Sequence, residues 1–116
     1  MQYLLTKKEI IDQFEISEFV LKTQQQIAKD FAGSGYEFDQ EFISQESSFH
    51  ELIINVSGML AEVLKDGEQK MLQLLYQIDL PQKEFLTILN SDNFVQLLAE
   101  KIIRREAYKV FLRTKF

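Results

Sequence analysis

An apolar stripe at helical spacing, running from Phe49 to Ile78, constrains the fold of this chain more than any other feature. Its residues recur every three or four positions, which is the period of an amphipathic helix and not of a strand. The chain has only one proline and four glycines, so little interrupts such helices. The sequence therefore predicts an all-α protein. The stripe consists of Phe49, Leu52, Ile53, Val56, Leu60, Val63, Leu64, Met71, Leu75 and Ile78.

The stripe keeps its register across Gly67, which favours a continuous or mildly kinked central helix over about residues 49–78. Ser48 and Glu51 have the spacing of a capping box and mark the start of this helix. The apolar arc is wide, with Ile54 and Tyr76 lying off the main stripe. Two neighbouring helices could cover such an arc, and so could a second subunit. We therefore expect a helix-packing seam or a dimer surface here.

Shorter elements complete the predicted bundle of four to five helices. A capping box from Thr6 to Glu9 begins a first short helix, and a second helix starts near Ser17. Pro81 suits the first turn of another helix, and a long C-terminal helix covers about residues 92–113. Residues 33–48 are rich in glycine, serine and acidic residues and are predicted to be an irregular loop. We expect one domain over residues 1–116.

Charge is distributed unevenly along the chain. The last sixteen residues contain six basic residues and one acidic residue, whereas residues 1–100 contain seven lysines and seventeen acidic residues. The C-terminal segment thus has a net charge of 6 − 1 = +5, and the rest has 7 − 17 = −10. The basic side chains are expected on the face of the last helix that lies opposite its apolar side. The candidate contact residues for a polyanion or a partner are Lys101, Arg104, Arg105, Tyr108, Lys109 and Arg113.

Three interpretations of this basic helix are open. Its charges could form an ordinary solvated face that complements the helix dipole. They could instead pair with the acidic middle of the chain or of a second copy, since residues 30–68 hold nine acidic residues and one lysine. They could also bind nucleic-acid phosphates, with Tyr108 available for stacking. The acidic character of the whole chain, with a pI near 4.9, argues against the last interpretation.

The sequence offers little support for an enzyme. It contains no cysteine and a single histidine, His50, whose His-Glu pair lacks the second histidine of a zinc-protease motif. The two clustered glycines at 33 and 35 lack the lysine of a phosphate-binding loop. We therefore expect no catalytic site, metal or cofactor. No apolar run approaches the length of a membrane span, which predicts a soluble, cytoplasmic protein.

These observations favour a protein–protein interaction module that is not an enzyme and that forms a homodimer. The alternative is a helical domain that binds nucleic acid through the basic C-terminal helix. The two hypotheses differ in the surface that they use, because the first relies on the central apolar stripe and the second on the C-terminal cations.

Overall fold

The computed structural model describes residues 4–115, the last of them by its backbone only, and it confirms the all-α class. The described part contains seven helices and no strand, so the prediction of four to five helices was too low. The helices are α1 (Lys7–Gln13), α2 (Ser17–Ala32), α3 (Gln40–Ser44), α4 (Phe49–Lys65), α5 (Glu68–Ile78), α6 (Gln82–Leu86) and α7 (Phe94–Lys115).

The C-terminal helix α7 is the centre of the fold. It packs against α4 and α2 over most of its length and also contacts α1 and α5. Its apolar side is completely enclosed, with Leu98, Ile102, Ile103 and Ala107 all at 0% exposure. The buried apolar side chains of α7 and its neighbours form a single cluster. A predicted helix over about 92–113 is thus confirmed, with both ends displaced by two residues.

The predicted continuous helix over 49–78 was wrong. Helix α4 ends at Lys65, and α5 begins at Glu68 after a two-residue connection. Gly67 has φ 105° and ψ 170°, a conformation that residues with a Cβ atom rarely adopt. The chain therefore changes direction at Gly67, and α4 and α5 pack against each other. The apolar register survives this turn because each helix turns its own apolar side toward the shared core.

Most of the predicted stripe is buried within the single chain. Phe49 and Ile53 are half-buried and pack against the core. Leu64 is the exception, because it is 42% exposed on the flank of α4. Its neighbour Val63 occupies the inward position at 0% exposure. The remaining stripe residues are buried, namely Leu52, Val56, Leu60, Val63, Met71, Leu75 and Ile78.

The predicted loop over 33–48 is partly helical. Asp39 caps the five-residue helix α3, and its side chain accepts a hydrogen bond from the Phe42 backbone N–H at 2.9 Å. The segment is irregular on both sides of α3, as the composition indicated. Phe42 is only 7% exposed, so this segment is anchored in the core.

Candidate interaction surfaces

The basic residues of α7 are engaged within the molecule. Arg104 Nε donates a hydrogen bond of 2.6 Å to the Leu5 carbonyl, and the Leu5 N–H donates to the Arg104 carbonyl at 3.2 Å. This exchange attaches the N-terminal segment to α7. Tyr108 is half-buried against the core. Three further cations form ion pairs: Lys101 with Glu84 (2.8 Å), Arg105 with Asp79 (3.0 Å) and Lys109 with Asp30 (2.8 Å).

A buried group of charges joins α7 to α2. Lys109 Nζ lies 2.8 Å from Asp30 Oδ2 and 2.7 Å from Glu106 Oε1. Asp30 also accepts a hydrogen bond from Gln26 Nε2 at 3.1 Å, and Gln26 Oε1 accepts one from Arg113 Nη1 at 2.6 Å. Asp30 is 5% exposed and Glu106 is 0% exposed. These contacts therefore hold charged side chains where little water reaches them.

Burial raises the pKa of Glu106 well above its usual range, and a hydrogen bond with Asp30 raises it further. The Lys109 ammonium, 2.7 Å from Glu106 Oε1, offsets only part of the cost of burying a carboxylate. A proton on Glu106 relieves this problem, because the carboxyl can then donate to Asp30. Burial alone would raise the pKa of Asp30, but hydrogen bonds with Glu106, Lys109 and Gln26 lower it below its ordinary value. The pair thus favours one proton, held on Glu106.

The ion pairs of α7 do not follow the predicted pairing with residues 30–68. Only Asp30 belongs to that segment; the other carboxylates that α7 uses are Asp79, Glu84 and Glu106. The ion-paired side chains of Lys101, Arg105 and Lys109 are only 11–20% exposed, so they do not form a fully solvated face.

Arg113 differs from the other candidate cations. It is exposed near the end of α7, and it donates a hydrogen bond to the neutral amide oxygen of Gln26. With Lys22 and Lys29 of α2 it lines a shallow pocket of about 400 Å³. Lys22 forms an ion pair with Glu18 at 3.0 Å. A polyanion contact through α7 stays a prediction, and this pocket is where its charge is most accessible.

A second concave surface lies between the 37–47 segment and one side of α4. It is a groove of about 640 Å³, and we call it the acidic groove. Its floor includes Phe38, Phe42 and Met59, and six carboxylates surround these apolar side chains. The residues that line the acidic groove are Glu37, Phe38, Asp39, Glu41, Phe42, Gln45, Glu46, Ser47, Glu51, Asn55, Gly58, Met59 and Glu62.

One buried glutamine fixes the backbone on the loop side of the acidic groove. Gln24 Nε2 donates to the carbonyls of Phe42 (2.6 Å) and Gln45 (2.8 Å). Gln24 Oε1 accepts from the Ser47 N–H at 2.8 Å. Gln24 is 0% exposed, so these bonds satisfy a fully buried amide. An apparently irregular segment therefore has a fixed shape, set from α2.

Aromatic contacts and a tyrosine complete this attachment. Phe38 stacks on Phe42 with ring centroids 4.1 Å apart and meets Phe31 edge-on at 5.2 Å. The Tyr36 hydroxyl donates to Asp66 Oδ2 at 2.6 Å, which ties the start of the segment to the end of α4. This hydrogen bond raises the pKa of Tyr36 to about 12. Phe38 and Phe42 thus attach the loop to the core.

The carboxylates of the acidic groove are largely uncompensated. Glu62 approaches Lys65 at 3.5 Å. Among the described residues, the other five make no ion pair with any cation. Glu51 is committed to the capping box of α4, whose backbone and hydroxyl hydrogen bonds lower its pKa. The acidic groove therefore carries a concentrated negative charge.

Apolar side chains also point outward on α4 and α5. Leu72 and Tyr76, one turn apart on α5, are 51% and 88% exposed. Ile54 and Leu64 on α4 are 58% and 42% exposed. The opposite sides of the same helices are buried, so these outward residues are not part of the core. We call Leu72 and Tyr76 the α5 outer pair.

Two important polar residues were missed in the sequence, although a signal for each was present. Gln24 lies on the same arc of α2 as Val20, Ile27 and Phe31, and Glu106 follows Ile102 and Ile103 at helical spacing. A polar residue within an apolar stripe indicates a buried side chain with a specific partner. The partners of Gln24 lie 18 to 23 residues away, and Asp30, the partner of Glu106 on α2, is further still, so spacing could not identify them. His50 is exposed in the first turn of α4.

Comparison of the chain with protein-family models, with curated proteins and with solved structures finds no match in any of the three. Among residues 4–115, no group of three or more histidine or acidic side chains is arranged to hold a metal ion. No helix in this range is long and apolar enough to cross a membrane. The acidic groove and the α5 outer pair are therefore the candidate interaction surfaces of this chain.

Proposed function

We propose that this protein is a non-enzymatic protein–protein interaction module of the cytoplasm that acts as a homodimer. The observation that carries the proposal is the α5 outer pair. Leu72 and Tyr76 are large, adjacent and exposed, while the core of the chain is already closed without them. Exposed apolar groups that cluster on one helix face are typical of surfaces that bind other proteins.

A twofold symmetric dimer suits this surface. In such a dimer the same patch of both subunits meets itself, so a leucine and a tyrosine one turn apart can contact their counterparts. Tyrosine is enriched at the centres of interfaces because its ring contributes area and its hydroxyl tolerates water.

The proposal does not extend to nucleic-acid binding, because no specific observation favours it. Four of the six candidate residues on α7, namely Lys101, Arg104, Arg105 and Lys109, use their charged groups in contacts inside the chain. Releasing them to phosphates would break these contacts. The acidic groove adds a negative field that repels a phosphate backbone.

Size-exclusion chromatography with light scattering tests the proposal. The natural protein should elute with the mass of a dimer at low and at high salt, without the 260 nm absorbance of bound nucleic acid. Leu72→Lys combined with Tyr76→Lys should give a folded monomer. Ile11→Lys combined with Leu86→Lys is the matched control, since both residues are exposed apolar side chains on other helices, at 54% and 55%. A natural protein that stays monomeric at high concentration would refute the homodimer.

A further inference from the structure

The acidic groove has a charge that the rest of the molecule leaves unmatched. Five of its six carboxylates lack an ion pair among the described residues, and Lys65 is the one lysine or arginine in the whole segment 30–68. The cations of α7 that could have neutralised it are held by Asp30, Asp79, Glu84 and Glu106 instead. A ligand with positive charges would therefore complement the charge of this surface.

The floor of the acidic groove indicates more than a simple ion site. Phe38 and Met59 are half-buried, so part of each remains accessible beside the carboxylates. An apolar floor with a charged rim suits a partner side chain that inserts an apolar end while cations meet the rim. A bare metal ion does not suit it, because the described acidic side chains do not converge on one point.

Gly58 independently indicates that a ligand can approach the backbone of α4 closely. It lies in the middle of α4, where glycine weakens a helix relative to alanine. A Cβ atom at this position would meet nothing within 4 Å, so the packing of the chain itself does not require glycine here. Gly58 also lines the acidic groove. Its lack of a side chain leaves the helix backbone open to a ligand.

We infer that the acidic groove binds a segment of a partner protein in which lysine or arginine residues flank a large apolar side chain. The apolar side chain packs over Gly58 against Met59 and Phe38. The flanking cations pair with carboxylates of the rim such as Glu37 and Glu41. This inference rests on the proposed role as an interaction module, but it uses a different surface from the α5 outer pair and does not depend on the homodimer.

Fluorescence anisotropy with a labelled peptide that alternates arginine and leucine tests the inference. Binding should be saturable and should weaken as salt rises, because salt screens exposed charges. A peptide that alternates glutamate and leucine should not bind. A peptide that alternates arginine and serine has the same charge but lacks the apolar side chains, so it should bind about tenfold more weakly than the arginine–leucine peptide.

Two pairs of variants locate the binding. Glu37→Lys with Glu41→Lys should weaken binding at least about tenfold, since each reversal replaces an attraction by a repulsion. Asp12→Lys with Asp92→Lys makes the same change in net charge on exposed residues outside the acidic groove and should have a much smaller effect. Gly58→Trp should fill the groove and abolish binding, whereas Gly58→Ala should retain most of it.

Circular dichroism and light scattering on every variant separate loss of binding from loss of fold or of dimer. Equal binding by the arginine–leucine and arginine–serine peptides, or equal weakening by the two charge reversals, would overturn the inference by revealing a non-specific response to net charge. Retention of full affinity by folded Gly58→Trp would overturn it as well. A monomeric natural protein that still binds the peptide in the acidic groove would refute the homodimer and leave this inference intact.

Discussion

The basic side of α7 and the acidic groove carry opposite charges and use them differently. On α7 the ion-paired cations are at most one-fifth exposed. In the acidic groove the carboxylates surround an open concavity, and most lack a cation. The cations of α7 therefore contribute to the fold, while the carboxylates of the groove are available to a partner. A cluster of charge in a sequence does not distinguish these uses, because the distinction depends on which residues lie opposite.

Removing the buried cation of α7 should have the largest effect on stability. Lys109→Met leaves Asp30 and Glu106 without their shared partner, and both carboxyls are buried. We expect a loss of about 3–5 kcal/mol in the free energy of unfolding, measured by urea denaturation. Lys29→Met, on an exposed lysine without a described ion pair, is the control and should change it by less than about 0.5 kcal/mol. Equal losses of stability in the two variants would show that Lys109 contributes no more to the fold than an exposed lysine does.

Arg104 tests the attachment of the N-terminal segment. Arg104→Gln removes the donor that binds the Leu5 carbonyl, so a charge-assisted hydrogen bond is lost. We expect the free energy of unfolding to fall by about 1.5–3 kcal/mol. Hydrogen exchange at the Leu5 amide should also become faster, because its own bond to the Arg104 carbonyl belongs to the same contact. Unchanged exchange would show that the attachment does not depend on the guanidinium.

Glu106 makes stability depend on pH in the direction opposite to that of an acid whose pKa is lowered by folding. Its raised pKa means that its contribution is fully present below the ordinary value of 4.5 and is lost as pH rises through the folded-state pKa. Glu106→Gln keeps the shape and a hydrogen-bond donor without ionising. At pH 8 the variant should be about 1–3 kcal/mol more stable than the natural protein, with the difference vanishing near pH 4.

The natural protein and Glu106→Gln are best compared by the difference between their free energies of unfolding at each pH. The lowered pKa of Asp30 acts in the opposite sense, since its contribution is present above pH 3.8 and is lost as pH falls. A natural protein that is more stable than Glu106→Gln at pH 8 would show that ionised Glu106 is fully compensated by Lys109.

Neutralising the acidic groove should have the smallest effect on stability. Glu37→Gln with Glu41→Gln removes two exposed carboxylates that pair with no described cation. We expect a change in the free energy of unfolding of less than about 0.5 kcal/mol, with any gain confined to low salt, where repulsion is unscreened. Urea denaturation at two salt concentrations measures this. A clear loss of stability would show that these carboxylates contribute to the fold, as the cations of α7 do.

Local features of the fold were predictable from the sequence, whereas features set by distant partners were not. Both capping boxes, at Thr6 and Ser48, occur where the spacing placed them, because the bonds lie within one turn. The break at Gly67 was missed because an apolar period continues equally well through a helix or across a tight turn. The tertiary contact of α5 with α4 and α2 decides between them.

The charges of the acidic groove and of α7 were also visible in the sequence, but their surroundings depend on distant residues. The acidic character of residues 37–62 was visible in the sequence, but the concavity depends on hydrogen bonds from Gln24, which lies on α2. The basic character of α7 was equally visible. Its ion-pairing partners Asp30, Asp79 and Glu84 lie 17 to 79 residues away in sequence, so spacing could not identify them.

A nuclear magnetic resonance titration that follows backbone amide signals tests the central comparison most directly. The labelled protein would be titrated first with the arginine–leucine peptide and then, in a fresh sample, with a short DNA duplex. The account predicts that the peptide shifts signals of residues 37–62 and leaves those of 101–113 in place, while the duplex shifts neither. Shifts along 101–113 on adding the duplex, with no response of 37–62 to the peptide, would contradict it.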